Sequence, residues 1–286
     1  MTNQWQTLGN PSPASLEDAR LQLHHCAQIA GAVGIHLLEP QSDDSHTNLG
    51  WSSDAGALAG HPATDDPSYH AALRVADLSL LLLDSGGRTA NTFPLSGTKL
   101  HEGYEWLASA IESFTGKPLS SALAPPPFEL PFHSVAADGT ISGDPKEAFE
   151  ELSRWYSNAD QILSRVNAER ENASDVRCWP HHFDISTLIQ IDPYESPEQA
   201  RSIDVGMSPG DSSYPEPYYY VNPYPSPEDP ELPRLSGGGQ WHTEGWFGAT
   251  LTATKLIEGG PEGEQGQRTQ RFLESAIEAG YKWLGD

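Results

Sequence analysis

Apolar residues recur at helical spacing in four stretches of this chain. After Ser15, with Asp18 three residues on in the manner of a capping box, Leu16, Leu23, Ala27 and Ala30 fall on one face. From Tyr104 to Phe114, Leu107, Ala110, Ile111 and Phe114 keep that spacing until Gly116 and Pro118 stop it. Asp144-Pro145 opens a third helix as N-cap and first-turn residue, with Phe149, Leu152, Tyr156, Ala159, Leu163 and Val166 on one stripe. A last helix is expected near Thr269 to Leu284, apolar at Phe272, Leu273, Ala276, Ile277, Trp283 and Leu284.

Alternating patterns lie between these helices. Val33, Ile35 and Leu37 alternate with Gly34, His36 and Leu38, which predicts a strand. Leu73 to Leu83 and Thr89 to Leu95 flank Asp84-Ser-Gly-Gly87, a hairpin turn with glycines where positive φ is needed. Ile185, Thr187, Ile189 and Ile191 share one strand face, and Trp246 to Leu256 reads as one long Thr-rich strand. Tyr214 to Pro233 is crowded with prolines, which cannot donate to a central ladder, so an edge strand or a fixed loop is expected there.

A repeat organises these elements. Leu95-Ser-Gly-Thr-Lys-Leu-His-Glu-Gly103 matches Leu251-Thr-Ala-Thr-Lys-Leu-Ile-Glu-Gly259 at six of nine positions, 156 residues apart. The same offset sets Gly50 and Ser52 on Gly206 and Ser208, and Ser109-Ala-Ile-Glu112 returns as Ser275-Ala-Ile-Glu278 after an insertion. The expected fold is therefore α+β: two related halves from an internal duplication, mainly antiparallel sheet with covering helices. Residues 1–143 form the first half, 144–172 a connecting helix and 173–286 the second half, together one globule.

Charge and composition narrow the partners. Against 40 Asp+Glu stand 16 Lys+Arg, a formal charge of -24 over 286 residues. Such a surface repels phosphate, which excludes nucleic acid and disfavours anionic membranes. Five lysines against eleven arginines, with short acids in excess, fit a surface adapted to a saline cytoplasm, where salt screens self-repulsion. Cys26 and Cys178 are expected as two reduced thiols, and the polar stretch Met1 to Pro13 carries no signal-peptide pattern, so the expected location is cytoplasmic. Asp43-Asp44 and Asp65-Asp66 read as solvated acidic turns without the calcium-loop pattern.

Candidate chemistry concentrates in the second half. Three segments stand out: Trp179-Pro-His-His-Phe-Asp184, Tyr214-Pro-Glu-Pro-Tyr-Tyr-Tyr-Val221 and Gly238-Gly-Gln-Trp-His-Thr-Glu-Gly-Trp246. Together they resemble a family of uncharacterised bacterial proteins known as a domain of unknown function, over residues 175–286 mainly. The resemblance implies no reaction, cofactor or catalytic residue. At the repeat offset His242 and Glu244 fall on Gly86 and Arg88, so the first half lacks these groups. On an extended chain His182 and Asp184 share a face, as do His242 and Glu244. Two such pairs side by side offer two nitrogens and two oxygens to a divalent metal, Zn²⁺, Mn²⁺ or Fe²⁺. Trp179, His181, Tyr218, Tyr220, Asn222 and Trp241 would wall a small-molecule pocket beside it. Two functions follow: a metal-dependent enzyme or small-molecule binder with its site in the second half, and a non-catalytic binding or interaction module whose His, Asp and Glu residues form a structural polar core. Oligomeric state leaves no trace in the sequence. Gly237-Gly-Gly239 lacks the Lys-Ser/Thr of a P-loop, and no Gly-x-Ser-x-Gly elbow occurs.

Overall fold

The computed structural model describes residues 4–63, 67–192 and 200–285; Asp65-Asp66 lie outside these. The fold is α+β with antiparallel strands, and the chain divides into two compact units. Ser15–Ser153 with Arg177–Phe183 makes the first; Met1–Ala14, Arg154–Val176 and Asp184–Asp286 make the second. Among the described residues no helix is long and apolar enough to cross a membrane. Cys26 and Cys178 are buried and not joined in a disulfide.

The first unit opens with α1 (Glu17–Leu37). The strand expected at Val33 to Leu37 is the end of this helix. The stripe of Leu16, Leu23, Ala27 and Ala30 does lie on this helix, but Gln22 to Gly34 are all buried, so beyond Ala30 no polar face marks its continuation against a short alternation. The expected capping box is also absent. Leu16 is the N-cap, and Asp18 instead accepts hydrogen bonds from Gln22 Nε2 at 2.7 Å and His133 Nε2 at 3.1 Å.

Strands β1 (Leu49–Ser52), β2 (Ala57–Gly60), β3 (Tyr69–Arg74), β4 (Ser79–Asp84) and β5 (Thr89–Pro94) follow as an antiparallel meander. The run Leu73 to Leu83 is thus two strands, broken by a 3-10 turn at Val75–Asp77. The turn at Asp84 to Gly87 is a hairpin as expected: Asp84 Oδ1 accepts from the Gly86 and Arg88 amides at 2.8 and 2.9 Å, and Gly87 sits at φ +75°. Helix α2 (Leu100–Thr115) ends at Gly116 and buries Leu107 and Ile111. Helix α3 (Lys146–Ala168) contributes its start to the first unit and its remainder to the second. Strand β6 (Arg177–Trp179) returns to the first unit and pairs with β1.

The second unit holds β7 (Asp184–Gln190), β8 (Ser202–Ser208), β9 (Tyr218–Tyr224), β10 (Gln240–His242) and β11 (Gly248–Thr252), in the spatial order β7-β8-β9-β11-β10. The expected long strand at Trp246 to Leu256 is β11 followed by α4 (Ala253–Glu258), because Thr252 caps a new helix through the Lys255 amide. The proline-rich segment supplies a central strand rather than an edge strand. Its Pro223 is tolerated because β11 pairs only with Tyr218 to Val221, so beyond Val221 β9 has β8 alone as a described neighbour.

Helix α5 (Gln265–Leu284) closes the unit and buries Phe272, Leu273, Ala276 and Ile277, at about 1.5–3 kcal/mol for each of the larger side chains. The sheet face it covers carries Ile185, Ile189, Ile203, Val205, Met207, Tyr219 and Leu251. Trp155 of α3 meets Tyr219 there. Trp241 belongs to this apolar side too: it contacts Trp283 and Phe247 at ring separations of 4.9 and 5.8 Å.

Candidate functional site

The opposite face of the second-unit sheet is polar, and pairing register decides its composition. Ser186, Gly206, Tyr220, Thr250 and Gln240 form one straight row across all five strands. The neighbouring row runs Leu188, Asp204 and Asn222, and Ser208, Tyr218 and Thr252 form the next. Since successive strand residues alternate, Tyr218 and Tyr220 point to this face and Tyr219 to the core.

Gly206 makes the central contact. A Cβ there would lie 2.5 Å from the Tyr220 ring and hydroxyl, so the phenol crosses above the glycine and reaches beyond its neighbouring strand. Its hydroxyl donates to Asp184 on β7 and approaches Asp204 on β8 at 3.4 Å. Burial, and next the charge of Asp184, push the Asp204 carboxyl up to about 7, against hydrogen bonds from Ser186, Tyr220 and the Val205 amide. The same burial and the two carboxylates raise Tyr220, so it remains a phenol donor. Tyr218, raised by burial and then by Asp211, donates to Asp211 at 2.6 Å. Asp211 also accepts from the Ser213 and Tyr214 amides at 2.7 and 3.0 Å, which fixes the loop before β9.

That loop brings Tyr214 to His242. The Tyr214 hydroxyl lies 2.8 Å from His242 Nδ1, and His242 Nε2 lies 2.7 Å from the Glu244 carbonyl oxygen. The carbonyl can only accept, so Nε2 donates to it, while Nδ1 is paired with the tyrosine hydroxyl. Trp246 stacks on the imidazole at 4.1 Å. Both ring nitrogens are therefore occupied.

The expected metal set of His182, Asp184, His242 and Glu244 does not form a ligand cluster: among the described residues no group of three or more His, Cys, Asp or Glu is arranged to hold a metal ion. Part of the reason is local. Residues 180–183 are a turn, closed by the Phe183 amide on the Trp179 carbonyl at 2.7 Å with Phe183 at φ +61°, so strand periodicity does not govern His182 and Asp184. Asp184 is bound to Tyr220, and Glu244 offers its backbone rather than its carboxylate to His242.

The expected pocket residues disperse likewise. Tyr218 and Tyr220 meet on the polar face at 6.1 Å, Asn222 lies in the adjacent row, and Trp241 faces the core. Trp179 and His181 belong to the first unit, where His181 contacts Trp179 and Phe128, each at 6.0 Å. The turn carrying them is clamped by α1. His24 Nε2 and Gln28 Nε2 both donate to the Pro180 carbonyl at 2.8 Å, and His24 stacks on Phe183 at 5.0 Å. Burial lowers His24 to about 4, which keeps it neutral in this contact.

The first unit also contains a cavity of about 710 Å³ that the sequence did not disclose. Helices α1 and α2 form one side through His25, Gln28, Leu100 and Tyr104, and the proline-rich segment 123–132 forms the other, with Phe128 among its residues. Val135 and Tyr104 are buried there, whereas Phe132 stands 83% exposed at the rim. His25 Nε2 donates to the Pro131 carbonyl at 2.9 Å, which ties that segment to α1. The available signal was Pro-Pro-Pro-Phe-Glu-Leu-Pro-Phe132, aromatic residues held between rigid prolines outside any helix or strand pattern. No family model, curated protein or solved structure matches the chain.

Proposed function

We propose that this protein is a small-molecule binding module whose ligand occupies the first-unit cavity, and that the His, Asp and Glu residues of the second unit serve as a structural polar core. The observation that carries this reading is the cavity itself. Its 710 Å³ suits a drug-sized ligand, and apolar walls interrupted by a few polar groups are the usual make-up of such sites. Hydrogen bonds from Tyr214 and Tyr220 to His242 and Asp184 favour the structural reading of these residues over the metal-dependent one. A fragment library screened by thermal shift tests the reading. Fragments that raise the melting temperature of the wild type should fail to do so in Ala136→Trp, which places a bulky ring on a cavity-lining position. Identical hits in both proteins would exclude the cavity as the site.

We also infer that the two units descend from one duplicated element. Support comes from their order, helix, antiparallel strands, then helix, in α1–β1 to β5–α2 and in α3–β7 to β11–α5. The first copy of the nine-residue repeat runs from just past the end of β5 into α2, and the second from the last two residues of β11 through α4. They differ in that β5 ends its meander beside β4, whereas β11 lies between β9 and β10. Kinship with the uncharacterised bacterial family rests on the three marker segments, and a saline cytoplasm on the -24 charge and the buried thiols.

A further inference from the structure

The second unit carries a cleft of about 430 Å³ along α3 and α5. Helix spacing supplies two of its sides. Gln161, Ile162 and Arg165 adjoin across one turn of α3, and Gly266, Gln267 and Gln270 repeat that spacing on α5. Gln4 and Trp5, from the start of the chain, form a third side. Two buried amides fix this segment at alternate residues. Asn158 Oδ1 accepts from the Gln6 amide at 2.8 Å, and its Nδ2 donates to the Gln6 carbonyl at 2.7 Å. Gln265 holds Leu8 in the same way, each bond at 2.9 Å, and its Oε1 also accepts from Trp5 Nε1 at 3.4 Å. Gly266 completes the fit: a Cβ there would lie 3.0–3.2 Å from Cδ2, Cε3 and Cγ of Trp5, so the indole lies against the glycine.

The polar side chains of this cleft are amides and one guanidinium. In a chain with 40 Asp+Glu, no carboxylate lines it. The side chains of Gln4, Gln161, Gln267 and Arg165 make no hydrogen bond or ion pair among the described residues, and Gln270 uses one N–H on Glu274 at 2.8 Å. Each amide presents donors and an acceptor together, and a hydroxyl does the same, so neighbouring hydroxyls satisfy amides in both directions and also accept from Arg165. Other ligand classes fit less well. A carboxylate would set its charge against the amide oxygens, an ammonium would face Arg165, and a wholly apolar body would leave the amides without partners. Trp5 and Ile162 supply the apolar surface that the C–H groups of a sugar ring need.

We propose that this cleft is a second binding site, independent of the first-unit cavity, and that it takes a neutral sugar: a pyranose ring whose C–H surface rests on Trp5 and Ile162 and whose hydroxyls bond the glutamine amides and Arg165.

The probes are the methyl glycosides of glucose, galactose and mannose, with glucuronate and glucosamine as charged counterparts. Affinities are read by saturation-transfer NMR at constant ionic strength on the wild type, Gly263→Trp, Trp5→Ala and Arg165→Gln. A neutral glycoside should bind, and more tightly than either charged sugar. Gly263 lines the cleft with nothing within 4 Å of an added Cβ, so Gly263→Trp fills the space without a clash and should abolish binding. Trp5→Ala should weaken the glycoside by about tenfold or more. Arg165→Gln, at an exposed position, should weaken it by about threefold, and this variant and Gly263→Trp carry the test if Trp5→Ala does not fold. Tighter binding of glucuronate or glucosamine than of every neutral glycoside overturns the ligand class. Glycoside binding that Gly263→Trp leaves unchanged overturns the site. Absence of binding by all five probes at tens of millimolar overturns both.

Discussion

Asp204→Asn replaces a carboxyl by an amide of nearly the same shape at the centre of the second-unit polar face. Burial and Asp184 hold the wild-type carboxyl at about 7, against 3.8 for a free side chain. Between those values the folded unit keeps a proton that the unfolded chain has released. The stability linked to that proton is fully present below pH ~4 and is lost as pH rises through about 7. One pH unit is worth about 1.4 kcal/mol, so the interval from pH ~5 to ~7 has a ceiling near 2.7 kcal/mol. Asp204 keeps part of its surface in contact with solvent, which screens the effect and brings the expected loss to about 1–2 kcal/mol. The variant has no such proton to lose. Urea unfolding at fixed salt, followed by tryptophan fluorescence, should show wild type losing stability relative to Asp204→Asn as pH rises from ~5 to ~7. Parallel stability profiles for the two proteins would refute the assignment of a retained proton to Asp204.

Two further outcomes are expected. Gly206→Ala would place a Cβ 2.5 Å from Tyr220 and 2.8 Å from Ser186 Cβ, and should cost about 1–3 kcal/mol in the same unfolding assay; a neutral result would mean that Tyr220 does not cross above Gly206. The melting temperature should rise between low and molar KCl as the -24 charge is screened, and a flat or falling profile would remove the saline-cytoplasm reading.

Local chemistry was legible in the sequence wherever an element is half-exposed or closes on itself. Helices α2, α3 and α5 show apolar stripes because each keeps a wet face, and Asp84 to Gly87 forms its hairpin through its own carboxylate and glycines. The alternation of Tyr218, Tyr219 and Tyr220 was equally readable, since strand period two needs no partner. Tertiary structure alone decided the rest. The stripe of helix α1 was readable up to Ala30, but enclosure removed any polar face beyond it, so Val33 to Leu37 imitated a strand. Strand order placed β9 inside the sheet, and a turn at residues 180–183 removed the His182 and Asp184 pair from any common strand face. The cavity was invisible for the same physical reason. Its walls come from two helices and an aperiodic proline segment, and periodicity reports which face of an element is dry without reporting what covers it or leaves it open.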